Sequence, residues 1–198
     1  GGADLLRSEA RAFVAPLRVQ VFGHDADGNL THDSLWDYIW DAENRLVAIQ
    51  HRPSAIGAGW VAPADARRLE FAYDYLGRRV RKTVFGWNGT AYAVTAPLAD
   101  TKFVYDGWNL VLELNGLASN AAVRSYTWGL DLAGSPTRTG GVGALLQWHD
   151  HALNKTYLPA YDGNGNIVAW TKSNASAPTS RREYDAFGNT LVSEGAAA

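Results

Sequence analysis

Apolar residues along this chain come in short alternating runs. Phe71 and Tyr73 flank one residue, as do Phe103 and Tyr105, and Ile167 to Trp170 is a compact apolar stretch. Alternation over a few residues is the signature of half-buried strands, and long runs with a 3.6-residue period are missing. The one helical candidate is Asp4 to Val14, where Leu5, Leu6, Ala10, Phe13 and Val14 can share a face; an extended run suits Ala12 to Val14 equally. Turn signals recur every ten residues or so: Asp27-Gly28-Asn29, Glu43-Asn44, Leu76-Gly77, Asn88-Gly89, Asn115-Gly116, Gly163 to Asn166 and Phe187-Gly188-Asn189. Short aromatic and β-branched strands between such turns predict an antiparallel all-β fold. Residues 1–20 are expected to be a lead-in segment, helix or strand, and residues 21–198 one repeat-sheet domain.

The turns repeat. An aromatic-Asp pair, two or three residues, Gly or Asn, then an aliphatic recurs at His24-Asp25 with Gly28, Trp40-Asp41 with Asn44, Tyr73-Asp74 with Gly77, Tyr105-Asp106 with Asn109, Tyr161-Asp162 with Gly165, and Tyr184-Asp185 with Gly188. A worn copy spans Tyr126 to Asp131. The shorter intervals suit a strand–turn–strand unit of roughly 20 residues; the longer ones imply insertions. In each unit the aromatic is expected to end a strand and point inward. The Asp follows at the corner, accepting backbone N–H groups in an Asx-type turn. Gly or Asn takes the left-handed position that other residues adopt only at a cost. A unit this small cannot bury its own apolar face, so neighbours must stack. The expected architecture is an elongated, solenoid-like or shell-like antiparallel sheet.

Composition narrows the chemistry. The chain has 198 residues, with 18 Lys plus Arg against 20 Asp plus Glu, a net charge of −2. That balance argues against nucleic acid as a partner, which needs a basic face. No apolar run approaches the ~20 residues of a bilayer span. Cys and Met are both absent, which removes thiol chemistry and zinc–thiolate sites. The absent Met and the Gly1-Gly2 start lead us to expect a fragment or a processed product.

The ordered copies carry a resemblance. Tyr73-Asp-Tyr-Leu-Gly-Arg-Arg-Val, Tyr105-Asp-Gly-Trp-Asn-Leu, Tyr126-Thr-Trp-Gly-Leu-Asp-Leu, Gly140-Gly-Val-Gly-Ala-Leu-Leu and Tyr161-Asp-Gly-Asn-Gly-Asn-Ile follow the order seen in bacterial RHS-repeat-associated core regions. From about Val21 to Gly195 the chain resembles the YD repeats of the RHS-repeat superfamily, related to toxin-complex shell components and teneurins. The resemblance implies a β-shell that encloses or presents a C-terminal effector in intercellular competition, in a bacterial protein exported to the cell surface or outside. It also implies aspartyl self-cleavage downstream of the repeats, but no such cleavage element occurs in these 198 residues. The expectation is therefore a structural, non-enzymatic segment without cofactor. Its partners would be neighbouring repeats of the same or another chain through sheet edges, effector cargo, or a surface glycan. The alternative is an extracellular adhesion, carbohydrate-binding or filament-forming module on the same repeats.

Other candidate chemistry gives way to plainer readings. Asp25, Asp27, Asn29 and Asp33 start like a calcium loop, but the Gly sits at loop position 4 instead of 6, and position 12 is Trp36 instead of Glu. His149 and His151 lie two apart without an apparent third metal ligand. Gly140 to Gly143 lacks the Lys-Ser/Thr of a phosphate loop and reads as a flexible hairpin connection. No nucleophile elbow is present, so catalytic and metal sites are both expected to be none. Eight Trp are read mainly as interior residues, with sugar stacking as the alternative. Arg78-Arg79, Arg81-Lys82 and Arg181-Arg182 read as solvated strand charges. Asn29, Asn88, Asn154 and Asn174 head glycosylation sequons that a bacterial source makes incidental. Ser173 to Ser180 reads as a loop between strands.

Overall fold

The structure, a computed structural model, describes residues 21–136, 140–185 and 187–195. The expected lead-in over 1–20 lies outside the described residues. The rest is all-β. Fourteen strands form one open antiparallel sheet, and each is hydrogen-bonded to its neighbours in chain order. They are β1 (Gly23–His24), β2 (Leu30–His32), β3 (Trp36–Trp40), β4 (Leu46–His51), β5 (Arg67–Tyr73), β6 (Arg79–Gly86) and β7 (Ala99–Asp106). Then follow β8 (Asn109–Asn115), β9 (Ala121–Trp128), β10 (Leu145–Asp150), β11 (Lys155–Tyr161), β12 (Ile167–Lys172), β13 (Ser180–Tyr184) and β14 (Thr190–Gly195). Among the described residues the only helical elements are α1 (Pro53–Gly57), opened by a proline in its first turn, and a single 3-10 turn at Gly116–Ala118. The strip is elongated and open, with β1 and β14 as its two outer strands.

A meander of this kind places alternate connections on opposite margins. The odd-to-even turns, which include the Asp corners, share one margin. The even-to-odd connections, α1 among them, share the other.

No second layer covers the sheet among the described residues, and burial reflects that. Among the described residues no large side chain is completely buried, and most strand positions are half-exposed. Two places come closest to a core. Ala55, Ile56, Val61 and Ala66, from α1 and the stretch after it, pack on Trp87 and Tyr92 at the margin away from the corners. On the sheet, Trp148 of β10 stacks on Tyr157 of β11 at 4.4 Å between ring centres and meets Trp170 of β12 edge-on at 6.2 Å. The expectation of an inward-pointing aromatic at every corner is corrected here: Trp40, Tyr73, Tyr105, Tyr161 and Tyr184 are only half-buried, and His24 is exposed. They lie near the corner margin, where pairing between hairpins stops. Trp60 and Trp108 are exposed outright.

Register explains the shape of the corner margin. Within each tight hairpin, pairing runs up to the corner, with one extra residue on the second strand just beyond it. Ile39 pairs with Ala48 and Trp40 with Leu46, skipping Val47. The same step leaves out Thr31, Val80, Val111, Val168 and Leu191. Such bulges sharpen local twist. Between hairpins, pairing stops short of this margin: β4 and β5 pair only from Ala48↔Glu70 to Gln50↔Arg68, and β12 and β13 only at Ala169↔Arg181 and Trp170↔Ser180. Adjacent hairpins thus part company as they approach the corners.

Candidate functional site: the corner margin

The corners are one local solution repeated. In Asp74-Tyr75-Leu76-Gly77-Arg78, the Gly77 N–H donates to the Asp74 carbonyl and the Asp74 N–H to the Arg78 carbonyl, each at 3.0 Å. Gly77 has φ +77°. This is a three-residue hairpin loop, a tight turn closed by a left-handed residue. The Asp74 carboxylate then takes three donors: the N–H of Leu76 at 2.9 Å, the N–H of Arg78 at 3.0 Å, and Arg78 Nε at 2.7 Å. Asp25, Asp41, Asp162 and Asp185 repeat the backbone pattern, with Asn29, Arg45, Asn166 and Asn189 supplying the side-chain donor. Gly28, Asn44, Gly165 and Gly188 take the left-handed position.

Two copies differ from the pattern read in the sequence. Asp106 and Asn109 pair across a two-residue turn in which Gly107, not Asn109, has positive φ. That is the II′ hairpin arrangement, and it needs no carboxylate. The corner in the worn copy is built on Asp131, which accepts from the N–H groups of Ala133 and Ser135 at 3.0 and 3.1 Å. The stretch after it, read as flexible, is packed. A Cβ on Gly165 would meet Val142 Cγ1 at 2.6 Å, and one on Gly141 would meet Asn109 Oδ1 at 3.1 Å. The 140–143 segment lies across its neighbours on both sides.

The position four after each Asp is central, and the expectation that Arg78 is a solvated strand charge is corrected: its side chain is largely buried against Asp74. The signal was there in the Arg or Asn at 29, 45, 78, 166 and 189. At three of these corners, besides gripping its own Asp, this residue reaches forward. Asn29 donates to Asn44 Oδ1 at 2.7 Å, Arg45 Nη1 to the Asp74 carbonyl at 3.4 Å, and Arg78 Nη1 to the Gly107 carbonyl. The Arg45 and Arg78 guanidinium groups also lie over the next corner's ring, 5.2 Å from Tyr73 and 5.1 Å from Tyr105, a cation–π geometry.

The aromatics reach backward. Trp40 Nε1 donates to the Leu30 carbonyl at 2.8 Å, Tyr73 Oη to Leu46 at 2.8 Å, and Tyr105 Oη to Arg79 at 3.0 Å. Trp128 Nε1 donates to Leu110 at 2.7 Å, Tyr161 Oη to Leu145 at 2.6 Å, and Tyr184 Oη to Ile167 at 3.2 Å. Each acceptor sits just past the previous corner, where inter-hairpin pairing has stopped. The ring fills the gap and its polar tip satisfies a carbonyl the ladder leaves open.

Electrostatics follow the donors. The Asn29, Asn166 and Asn189 amides hold the Asp25, Asp162 and Asp185 carboxyls below the usual carboxylate range. The Arg45 N–H and guanidinium do so for Asp41. At Asp74, partial burial pushes upward, but Arg78 and the backbone N–H groups prevail and the net direction is down. A carboxyl with a lowered folded pKa stabilises fully above its unfolded value near 4, and that contribution is lost as pH falls through the lowered values. The sheet is therefore expected to lose thermal stability as pH falls below about 4. Asp162→Asn, which keeps the acceptor oxygen and cannot ionise, should flatten that slope in circular-dichroism melts recorded across the acid range.

The other candidates are not assembled into sites. The Asp25 carboxylate is taken by its own turn. Asp33 forms a separate turn, accepting from the N–H groups of Leu35 and Trp36 and from the Tyr38 hydroxyl at 2.9 Å; burial and that bond push the Tyr38 phenol up to about 12. His149 and His151 meet edge-on at 4.8 Å and hydrogen-bond to Thr156 and Ser125. No group of three or more metal-ligating side chains occurs among the described residues, and none of their helices is long and apolar enough to cross a membrane.

No family model matches the chain. It is 28% identical over 175 residues to the tRNA3(Ser)-specific nuclease WapA of Bacillus spizizenii, to the tRNA(Glu)-specific nuclease WapA of Bacillus subtilis subsp. natto, and to the tRNA nuclease WapA of Bacillus subtilis strain 168. Each match covers 88% of this chain, which spans about 6% of the length of these relatives. Among solved structures, the crystal structure of TcdB2-TccC3 is 15% identical with a TM-score of 0.48, and the same assembly without its hypervariable C-terminal region is 16% identical with a TM-score of 0.46. Each comparison covers 82% of this chain and 7% of the other. The expectation that the protein is not an enzyme is corrected by the curated relatives, all three of which are named as nucleases acting on tRNA.

Proposed function

We propose that this chain is a stretch of YD-repeat wall in an RHS-type bacterial protein, exported to the surface or beyond, whose whole cleaves tRNA and whose wall shields or presents the active cargo. The carrying observation is the chain of hairpins, each joined to its neighbours by a backward aromatic tether and, at several corners, a forward Arg or Asn contact. Such a unit gains its stability from the units beside it, and among the described residues β1 and β14 are outer strands, whose far edges suit further repeats. Two of the three relatives are named for different tRNA targets, tRNA3(Ser) and tRNA(Glu), yet both match this chain over the same length at the same identity. That constancy favours a shared wall over the part that selects a tRNA.

The test uses the full-length gene product. Cleavage of tRNA by the purified protein is expected, along with a large protease-resistant body. Replacing Asp41, Asp74 and Asp162 together with Ala should open that body to protease. A full-length product that cuts no tRNA, or whose protease pattern ignores the corner substitutions, overturns the reading. Trp60 and Trp108, 51% and 62% exposed, favour a second reading as a glycan-binding surface. Glycan-array binding that disappears in Trp60→Ala and Trp108→Ala would establish it.

A further inference from the structure

His51 closes β4 where the long connection to β5 begins, and three contacts meet on it. Its ring stacks on Trp36 of β3 at 3.6 Å between centres. Its Nδ1 accepts the backbone N–H of Arg67 at 3.1 Å, and its carbonyl accepts the Tyr92 hydroxyl at 2.6 Å. The Arg67 contact fixes the protonation state. A backbone amide can only donate, so Nδ1 must carry a lone pair and the ring must be neutral. An imidazolium would turn a second N–H towards the first.

We propose that His51 is an acid-operated latch: protonating its ring releases the Arg67 amide and loosens the connection 52–66 from the sheet margin, while the strands stay paired. The connection is poised for this. Arg67 directly follows Ala66, and Ala55, Ile56, Val61 and Ala66 are the small cluster that Trp87 and Tyr92 cover. Losing the Arg67 anchor frees the end of that segment.

The surroundings set the direction. Arg67 on β5 opposes a second positive charge, and Asp65 in the connection favours one. Asp37 on β3 is committed to Arg52 at 3.2 Å, and Arg68 on β5 to Glu70 at 2.8 Å. Tyr92, from the β6–β7 connection, presents a neutral hydroxyl whose titration burial pushes up. Partial burial, and after it the Arg67 charge, hold the ring's pKa below its ordinary 6.5. A base with a lowered folded pKa stabilises fully above its unfolded value and loses that contribution as pH falls. The latch therefore opens below pH about 6.5, well above the range in which the corner carboxylates titrate.

The experiment is hydrogen exchange with NMR titration of the whole chain. Protection of the Ala55, Ile56 and Ala66 amides should fall about tenfold between pH 7 and pH 5, while amides in β6 to β8 keep theirs. The His51 ring should titrate below 6.5, with the Arg67 amide shifting in step. In His51→Gln, whose side-chain oxygen can accept the same amide without ionising, protection should stay level across that interval. A parallel fall in His51→Gln overturns the latch. If that variant does not fold, the wild-type titration decides: a ring pKa at or above 6.5, or an Arg67 amide that ignores it, overturns the proposal.

Discussion

Trp148→Ala is expected to cost about 3–5 kcal/mol, the upper range for truncating a large buried aromatic. Trp148 is the largest buried side chain among the described residues, at 6% exposure. It holds Tyr157 by stacking and Trp170 by an edge contact, and the Arg124 guanidinium lies 5.3 Å from its ring centre. Removing it takes a shared partner from three strands at once. In a compact domain, neighbouring layers relax into such a gap; a single sheet has no layer to relax. Urea unfolding followed by circular dichroism measures the loss, and Trp148→Phe, which keeps a ring, should cost about half as much. A midpoint unmoved by Trp148→Ala would mean this cluster contributes little.

Gly116→Ala is expected to cost about 2–4 kcal/mol through a residue sixteen positions away. A Cβ there would sit 2.5 Å from Asp100 Cγ and closer still to Oδ2. Asp100 is buried, at 5% exposure, and grips Arg81 Nε and Nη2 at 2.7 and 2.9 Å. The added methyl must turn the carboxylate out of that grip. Arg81 is half-exposed and regains water, which keeps the cost below that of a fully buried pair. Because the damage runs through Asp100, Asp100→Ala with Gly116→Ala should cost little more than Asp100→Ala alone, a non-additivity that equilibrium unfolding of the three variants reads directly.

The all-β fold was legible in the sequence because its determinants are local. Asp74, Gly77 and Arg78 lie within five residues, and the turn they make is complete before any other strand arrives. The identity of the left-handed residue was equally readable at Gly28 and Asn44. What the sequence concealed depends on pairs that meet only after folding. Nothing near Tyr73 announces that its hydroxyl will find the Leu46 carbonyl, because that carbonyl is open only where β4 and β5 have stopped pairing. The skipped residues at Val47 and Val80 are invisible for the same reason. Asp106 misled through its Gly, which follows at once and permits a tighter turn. Asp131 sits five residues after Tyr126 instead of beside it. The His51 contacts involve Arg67 and Tyr92, both beyond α1, a helix too short to leave a periodic trace.

The rings lodged between hairpins act as the voussoirs of an arch. A strip whose strands are stitched along one border and wedged apart along the other is expected to bend within its own plane, with the thickness of each wedge setting the local radius. Trp40 and Trp128 are broader wedges than Tyr73, Tyr105, Tyr161 and Tyr184. Exchanging indole for phenol at one of these places would leave that hairpin intact and re-aim every hairpin after it.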